Sequence, residues 1–118
     1  MARVFENVGV SSTATLVFTC PTAEVFTISK LSLTDKKGAN QTAKVYIAND
    51  GGAASSTNQV GPDITVVASG GGYRSEFAGD GVPAGGKIYV AGSDTSATLE
   101  VRLVGFTAAQ TRNAQPIG

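Results

Sequence analysis

Short segments in which apolar and polar residues alternate, separated by turn residues about every ten positions, constrain the fold of this chain most strongly. The segments "ATLVFTC", "TAKVYIAND" and "TLEVRLVGF" are examples. A period of two is that of a β-strand with one buried face, and no window shows the 3.6-residue apolar stripe of a helix. Seven or eight such segments in 118 residues predict a single all-β domain, an antiparallel sandwich or barrel.

The longest strand candidate, "EVFTISKLSLT", breaks the alternation in its middle. Phe26 and Ile28 share one parity, and Leu31 and Leu33 share the other. In a strict period-2 strand one of these pairs would face solvent. We therefore predict a β-bulge or bend near Ser29–Lys30 that returns both pairs to the core.

The other strands carry simpler predictions. "KIYVAG" and "TLEVRLVGF" flank the polar turn "SDTSA" and predict a β-hairpin. Alternation predicts that Val17, Lys44, Tyr46, Glu100 and Arg102 face away from the core. It predicts these core-facing residues: Ala14, Leu16, Phe18, Cys20, Val45, Ile47, Ala97, Leu99, Val101 and Leu103.

Residue types exclude most catalytic chemistry. The chain has no histidine, which removes Ser-His-Asp and Cys-His nucleophiles and histidine metal sites. The acidic residues of the predicted turns are expected to cap their own backbone rather than to act in catalysis: Asp35, Asp50, Asp80 and Asp94. "GDGVPA" matches a dinucleotide fingerprint by letters only, because a strand and not a helix follows it. We predict no enzyme, and no catalytic, cofactor-binding or metal-ligating residue.

Charge and cysteine usage exclude further classes. Nine Lys and Arg balance nine Asp and Glu without a basic stripe, which argues against a nucleic-acid partner. No run approaches the ~20 apolar residues of a membrane span. Cys20, the single cysteine, is predicted to be a small buried hydrophobe. Residues 1–20 lack the apolar stretch of a signal peptide, so we expect synthesis in a cytoplasm without export.

The strand pattern from Ala14 to Phe106 resembles that of small structural proteins of tailed bacteriophages. The likeness lies in "ATLVFTCP", in "EVFTISKLSLT", in "VYIAN" and in "VPAGGKIYVAGSDTSATLEVRLVGF". It departs from the family at "AGGK", where an acidic residue is common. The resemblance implies a jelly-roll-like β-sandwich without cofactor or catalysis. Such modules decorate capsids, often as trimers, or sit on necks, baseplates and fibres.

The expected function is that of a virion structural protein, made in the host bacterial cytoplasm. A capsid decoration (cement) protein, binding the outer surface of the major capsid protein shell as a homotrimer, is the first hypothesis. A neck, baseplate or tail-fibre protein is the alternative, and a carbohydrate-binding module using Tyr46, Tyr73 and Tyr89 is the second alternative.

The sequence also predicts where the domain core begins and ends. The sandwich core is predicted at 13–106. Residues 1–12 are predicted as an N-terminal arm or irregular strand, and 107–118 as an extended C-terminal tail. The arm and the tail are the expected contacts to neighbouring subunits, because polar, aperiodic segments become ordered on a partner.

Overall fold

In the part of the chain that the structure describes, nine strands form two antiparallel sheets that pack face to face. The structure, a computed structural model, describes residues 2–68, 72–74 and 77–109, and for 72–74 it describes the backbone. The strands are β1 Ala2–Val10, β2 Thr15–Thr19, β3 Glu24–Asp35, β4 Gln41–Ala48, β5 Ile64–Val66, β6 Gly72–Arg74, β7 Gly81–Val82, β8 Lys87–Ala91 and β9 Leu99–Ala109. A 3₁₀ turn, Ser56–Asn58, lies in the connection between β4 and β5.

The strand order is that of a jelly roll. One sheet has the order β1-β9-β3-β6, with the two-residue β7 also paired to β3, and the other has the order β2-β8-β4-β5. Most connections between consecutive strands therefore cross from one sheet to the other. This arrangement of eight principal strands is the double Greek key of jelly-roll domains. The predicted all-β antiparallel sandwich is confirmed.

The predicted hairpin of β8 and β9 is wrong. β8 pairs with β2 and β4, whereas β9 pairs with β1 and β3 in the other sheet. The turn "SDTSA" therefore links the two sheets instead of closing a hairpin. Both strands find partners that lie far away in the sequence, and alternation within a strand carries no information about its partner.

The predicted bulge in β3 is confirmed. The register with β9 shifts between Ile28 and Lys30, so that Ser29 is the extra residue. Phe26, Ile28, Leu31 and Leu33 are consequently all at most 1% exposed.

A second bulge, in β2, makes the predicted orientation of Leu16 and Val17 wrong. The register with β8 shifts between Leu16 and Phe18. Leu16 is therefore 44% exposed and Val17 is buried, the reverse of the prediction from strict alternation. Phe18 packs partly buried against the core, and Cys20 is buried as expected. Ala97 is exposed because it precedes β9 and is not part of it, while Leu99, Val101 and Leu103 are buried as predicted.

Residues near the N-terminus form a regular edge strand. β1 pairs with β9 over nine residues, from Ala2 opposite Thr107 to Val10 opposite Leu99. The sequence predicted either an arm or an irregular strand for residues 1–12. The structure has a strand at Ala2–Val10. β9 continues to Ala109, beyond the predicted core boundary at 106, and residues 110–118 lie outside the described part of the chain.

Side chains from both sheets fill the space between them. Val45 is 1% exposed, and Ile47 packs partly buried against the same cluster. The rings of Phe18 and Phe26 lie 4.5 Å apart between centroids and are tilted by 43°, a favourable aromatic arrangement. The thiol of Cys20 donates to the carbonyl oxygen of Glu24 at 3.3 Å, and burial raises its pKa, which makes it a poor nucleophile. Among the described residues, no helix is long and apolar enough to cross a membrane.

Candidate interaction surfaces

A polar network closes one end of the sandwich around Asp35. The last residue of β3, Asp35 is 9% exposed, and its carboxylate accepts hydrogen bonds from the backbone N–H groups of Lys37 and Gly38 at 3.3 and 2.9 Å. The side-chain amide of Gln41, on β4, donates to the same carboxylate at 2.6 Å. The predicted capping role of this residue is confirmed. The hydrogen bonds, that of Gln41 first, lower the pKa of Asp35.

Asp94 extends the network into the connection between β8 and β9. It accepts hydrogen bonds from the hydroxyl of Thr98 at 2.7 Å and from the ammonium of Lys37 at 3.2 Å, and both lower its pKa. Gln41 also donates to the Thr98 hydroxyl at 3.1 Å. The network therefore ties the β3–β4 turn to the β8–β9 connection. These hydrogen bonds hold loops together, which is a structural role, although the buried Oε1 of Gln41 has no hydrogen-bond partner among the described residues.

The stability of the folded protein should decrease in acid because Asp35 becomes protonated. Because its pKa is lower folded than unfolded, Asp35 contributes stability that is complete above the unfolded value of about 3.9 and is lost as the pH falls through the folded value. We expect the urea midpoint of the wild type to exceed that of Asp35→Asn at pH 7, and the difference to shrink steadily below about pH 5. Urea titrations between pH 7 and pH 2 measure this. A difference independent of pH would contradict it.

The outer face of the larger sheet carries aromatic and cationic side chains together. We call this surface the outer β1–β9 face and define it by Arg3, Phe5, Arg102, Val104 and Phe106. Arg3 lies opposite Phe106, and Phe5 lies opposite Val104, on neighbouring strands. Phe5 is 56% exposed, the highest value among the large hydrophobic residues that the structure describes. The guanidinium of Arg102 lies over its ring, 5.3 Å from the centroid, within cation–π distance.

A groove of about 380 Å³ opens on this face, lined by Arg3, Ser29, Val104, Gly105 and Phe106. Ser29 is the extra residue of the β3 bulge, so the bulge that keeps the core apolar also shapes the wall of the groove. The bulge was predicted from the sequence, but the groove was not, because its walls come from three strands distant in the chain.

Charge on the outer β1–β9 face is predominantly positive. Within the described residues, neither Arg3 nor Arg102 has a carboxylate at salt-bridge distance. Glu100, the acidic residue on the outward side of β9, pairs with Lys36 at 3.2 Å. Of the two charges that the sequence analysis singled out on this strand, Glu100 is thus engaged across the sheet and Arg102 is stacked on Phe5.

The three tyrosines do not form one surface. Tyr46 and Tyr89 lie directly opposite each other on β4 and β8, and Leu16 lies opposite Tyr89 on β2. Leu16, Tyr89 and Tyr46 form a row across the outside of the smaller sheet, where the two tyrosines are half-buried. Tyr73 belongs to β6, in the other sheet.

Within the described residues, no group of three or more acidic or thiol side chains could hold a metal ion. Comparison of the chain with protein-family models, with curated proteins and with solved structures gives no match.

Proposed function

We propose that the protein is a structural protein of a tailed-phage virion, a decoration protein that binds the outer surface of the major capsid protein shell. The jelly-roll topology carries the proposal, because this fold recurs in viral capsid proteins. The fold by itself hosts many functions. The proposal therefore rests also on the resemblance of the strand pattern from Ala14 to Phe106 to phage structural proteins.

Repetition supplies the affinity in such a role. A shell presents many copies of one surface, and a homotrimer engages several of them at once. Linked weak contacts then bind more tightly than any single one, without a deep pocket or a reactive group. The open faces of the two sheets, with Phe5, Leu16 and Val25 exposed, offer apolar surface suited to such contacts.

Copy number in purified virions tests this function. We expect quantitative mass spectrometry of particles from the phage that encodes the chain to give a copy number comparable with that of the major capsid protein. A copy number far below it would place the protein in the neck, baseplate or fibre instead. Absence from the particle would contradict a virion role altogether.

Sugar binding is a second candidate, favoured by the row formed by Leu16, Tyr89 and Tyr46. Aromatic side chains with one polar end suit stacking against a sugar ring, and jelly rolls include lectin domains. A glycan array would reveal such binding, and its loss on Tyr89→Ala would support this candidate. An array without specific binding would exclude it for the glycans displayed.

A further inference from the structure

We propose that the outer β1–β9 face is the surface by which this protein docks onto the shell, and that its partner there is an acidic patch with a protruding apolar side chain. The inference rests on the proposed function and adds the contact surface and the chemistry of the partner. Arg3 and Phe5 belong to residues 1–12, one of the two segments that the sequence predicted as contacts, whereas Arg102, Val104 and Phe106 lie outside both segments.

Arg102 is prepared for binding a carboxylate. Its guanidinium stacks on the ring of Phe5, which restricts the side chain before any partner arrives. Within the described residues no carboxylate lies at salt-bridge distance from Arg102, so its N–H groups are available for a two-pronged hydrogen bond to a carboxylate. Restriction in the unbound state reduces the entropy lost on binding.

Arg3 adds a second cation in the wall of the groove. It lies opposite Phe106, and like Arg102 it has no carboxylate partner within the described residues. The chain as a whole is neutral, yet this face carries two arginines. Glu100, the one acidic side chain of β9, does not offset their charge, because it is already paired with Lys36. Complementarity of charge therefore selects an acidic partner.

Beside Arg3, the groove offers space for an apolar group. Val104, Phe106 and the bulged Ser29 form its walls, and its volume of about 380 Å³ is enough for a large side chain. Aromatic and arginine side chains around an apolar pocket are the composition typical of binding hot spots. The smaller sheet has exposed Leu16 and two tyrosines but lacks a comparable pair of unpaired arginines among its described residues.

Binding to empty shells assembled from the major capsid protein of the same phage tests the inference. We expect Arg102→Glu and Phe5→Ala each to weaken binding at least about tenfold in a sedimentation assay. Lys87→Glu, the same charge change on the outer side of the smaller sheet, should bind like the wild type. The affinity of Arg102→Lys should lie between those of the wild type and Arg102→Glu, because lysine keeps the positive charge but cannot make a two-pronged hydrogen bond. Thermal melting of each variant verifies that it is folded.

The possible failures are distinguishable. A wild-type protein that does not bind shells overturns the proposed function and this inference together. Wild-type binding that Arg102→Glu and Phe5→Ala leave unchanged overturns this inference alone. If these variants instead alter only the oligomeric state in analytical ultracentrifugation, the face is an interface between copies of this chain, and an acidic shell partner is excluded. Wild-type binding that does not weaken with salt would also contradict an acidic partner.

Discussion

Deletion of Ser29 is expected to destabilise the folded protein strongly. Ser29 is the extra residue that lets Phe26 and Ile28, on one side of the bulge, and Leu31 and Leu33, on the other, all point inward. Without it, strict alternation turns one pair to solvent. Losing the burial of two such side chains costs about 3–6 kcal/mol, at 1.5–3 kcal/mol each. A domain of this size has a total stability of about 5–15 kcal/mol, so a large part of it would be lost, and all of it at the low end of that range.

Urea denaturation followed by circular dichroism measures this effect. Deletion of Ala54 is the matched control, since it also shortens the chain by one residue. Ala54 lies in the long connection between β4 and β5, where a change of length costs little. We expect the control to lose less than about 1 kcal/mol. A Ser29 deletion as stable as the control would mean that β3 can shift its register against β9 and that the bulge is not needed to bury both pairs.

Gly105→Ala is expected to have the second-largest effect. Gly105 lies on the inward side of β9, opposite Val4 on β1 and Ile28 on β3. A methyl group at this position would overlap the backbone carbonyl oxygen of Thr27 and the ring of Phe26. Overpacking of a core typically costs 1–3 kcal/mol, and one of the obstacles here is backbone, so we expect about 3 kcal/mol. For a chain of this length the melting temperature should fall by roughly 10 °C.

Two further variants isolate the cause. Gly9→Ala makes the same change in the neighbouring strand β1, where the new methyl group would meet only ordinary contacts with Ala97, at 3.5 Å or more. It should be neutral or slightly stabilising. Phe26→Leu combined with Gly105→Ala removes the overlap with the ring but not that with Thr27. The double variant should therefore be more stable than the sum of the single effects predicts, by about 0.5–2 kcal/mol. Strict additivity would contradict the overlap.

The outer β1–β9 face could be predicted from the sequence less completely than the core could. The sequence marked Arg102 as outward-facing, and this is correct, but nothing in the sequence indicated that Phe5 would lie beneath its guanidinium. The two residues are 97 positions apart (102 − 5) and meet only because β1 pairs with β9. The three tyrosines illustrate the converse, because residues that look equivalent in the sequence are divided between the two sheets.

The sequence alone determined the properties that depend on neighbouring residues. It determined that the chain is all-β, where most strands begin and end, and that β3 must contain a bulge, because the parity of side chains along one strand is local information. It also determined that Asp35 caps the turn after β3, since an Asx turn needs only the next few residues.

Only the tertiary structure decided which strands are partners. "KIYVAG" and "TLEVRLVGF" have the appearance of a hairpin, yet they lie in opposite sheets. The bulge in β2 that exposes Leu16 likewise depends on the register with β8. The physical reason is that strand pairing is chosen by the packing of whole faces against one another, summed over residues far apart in the chain, and the same alternation suits several partners equally well.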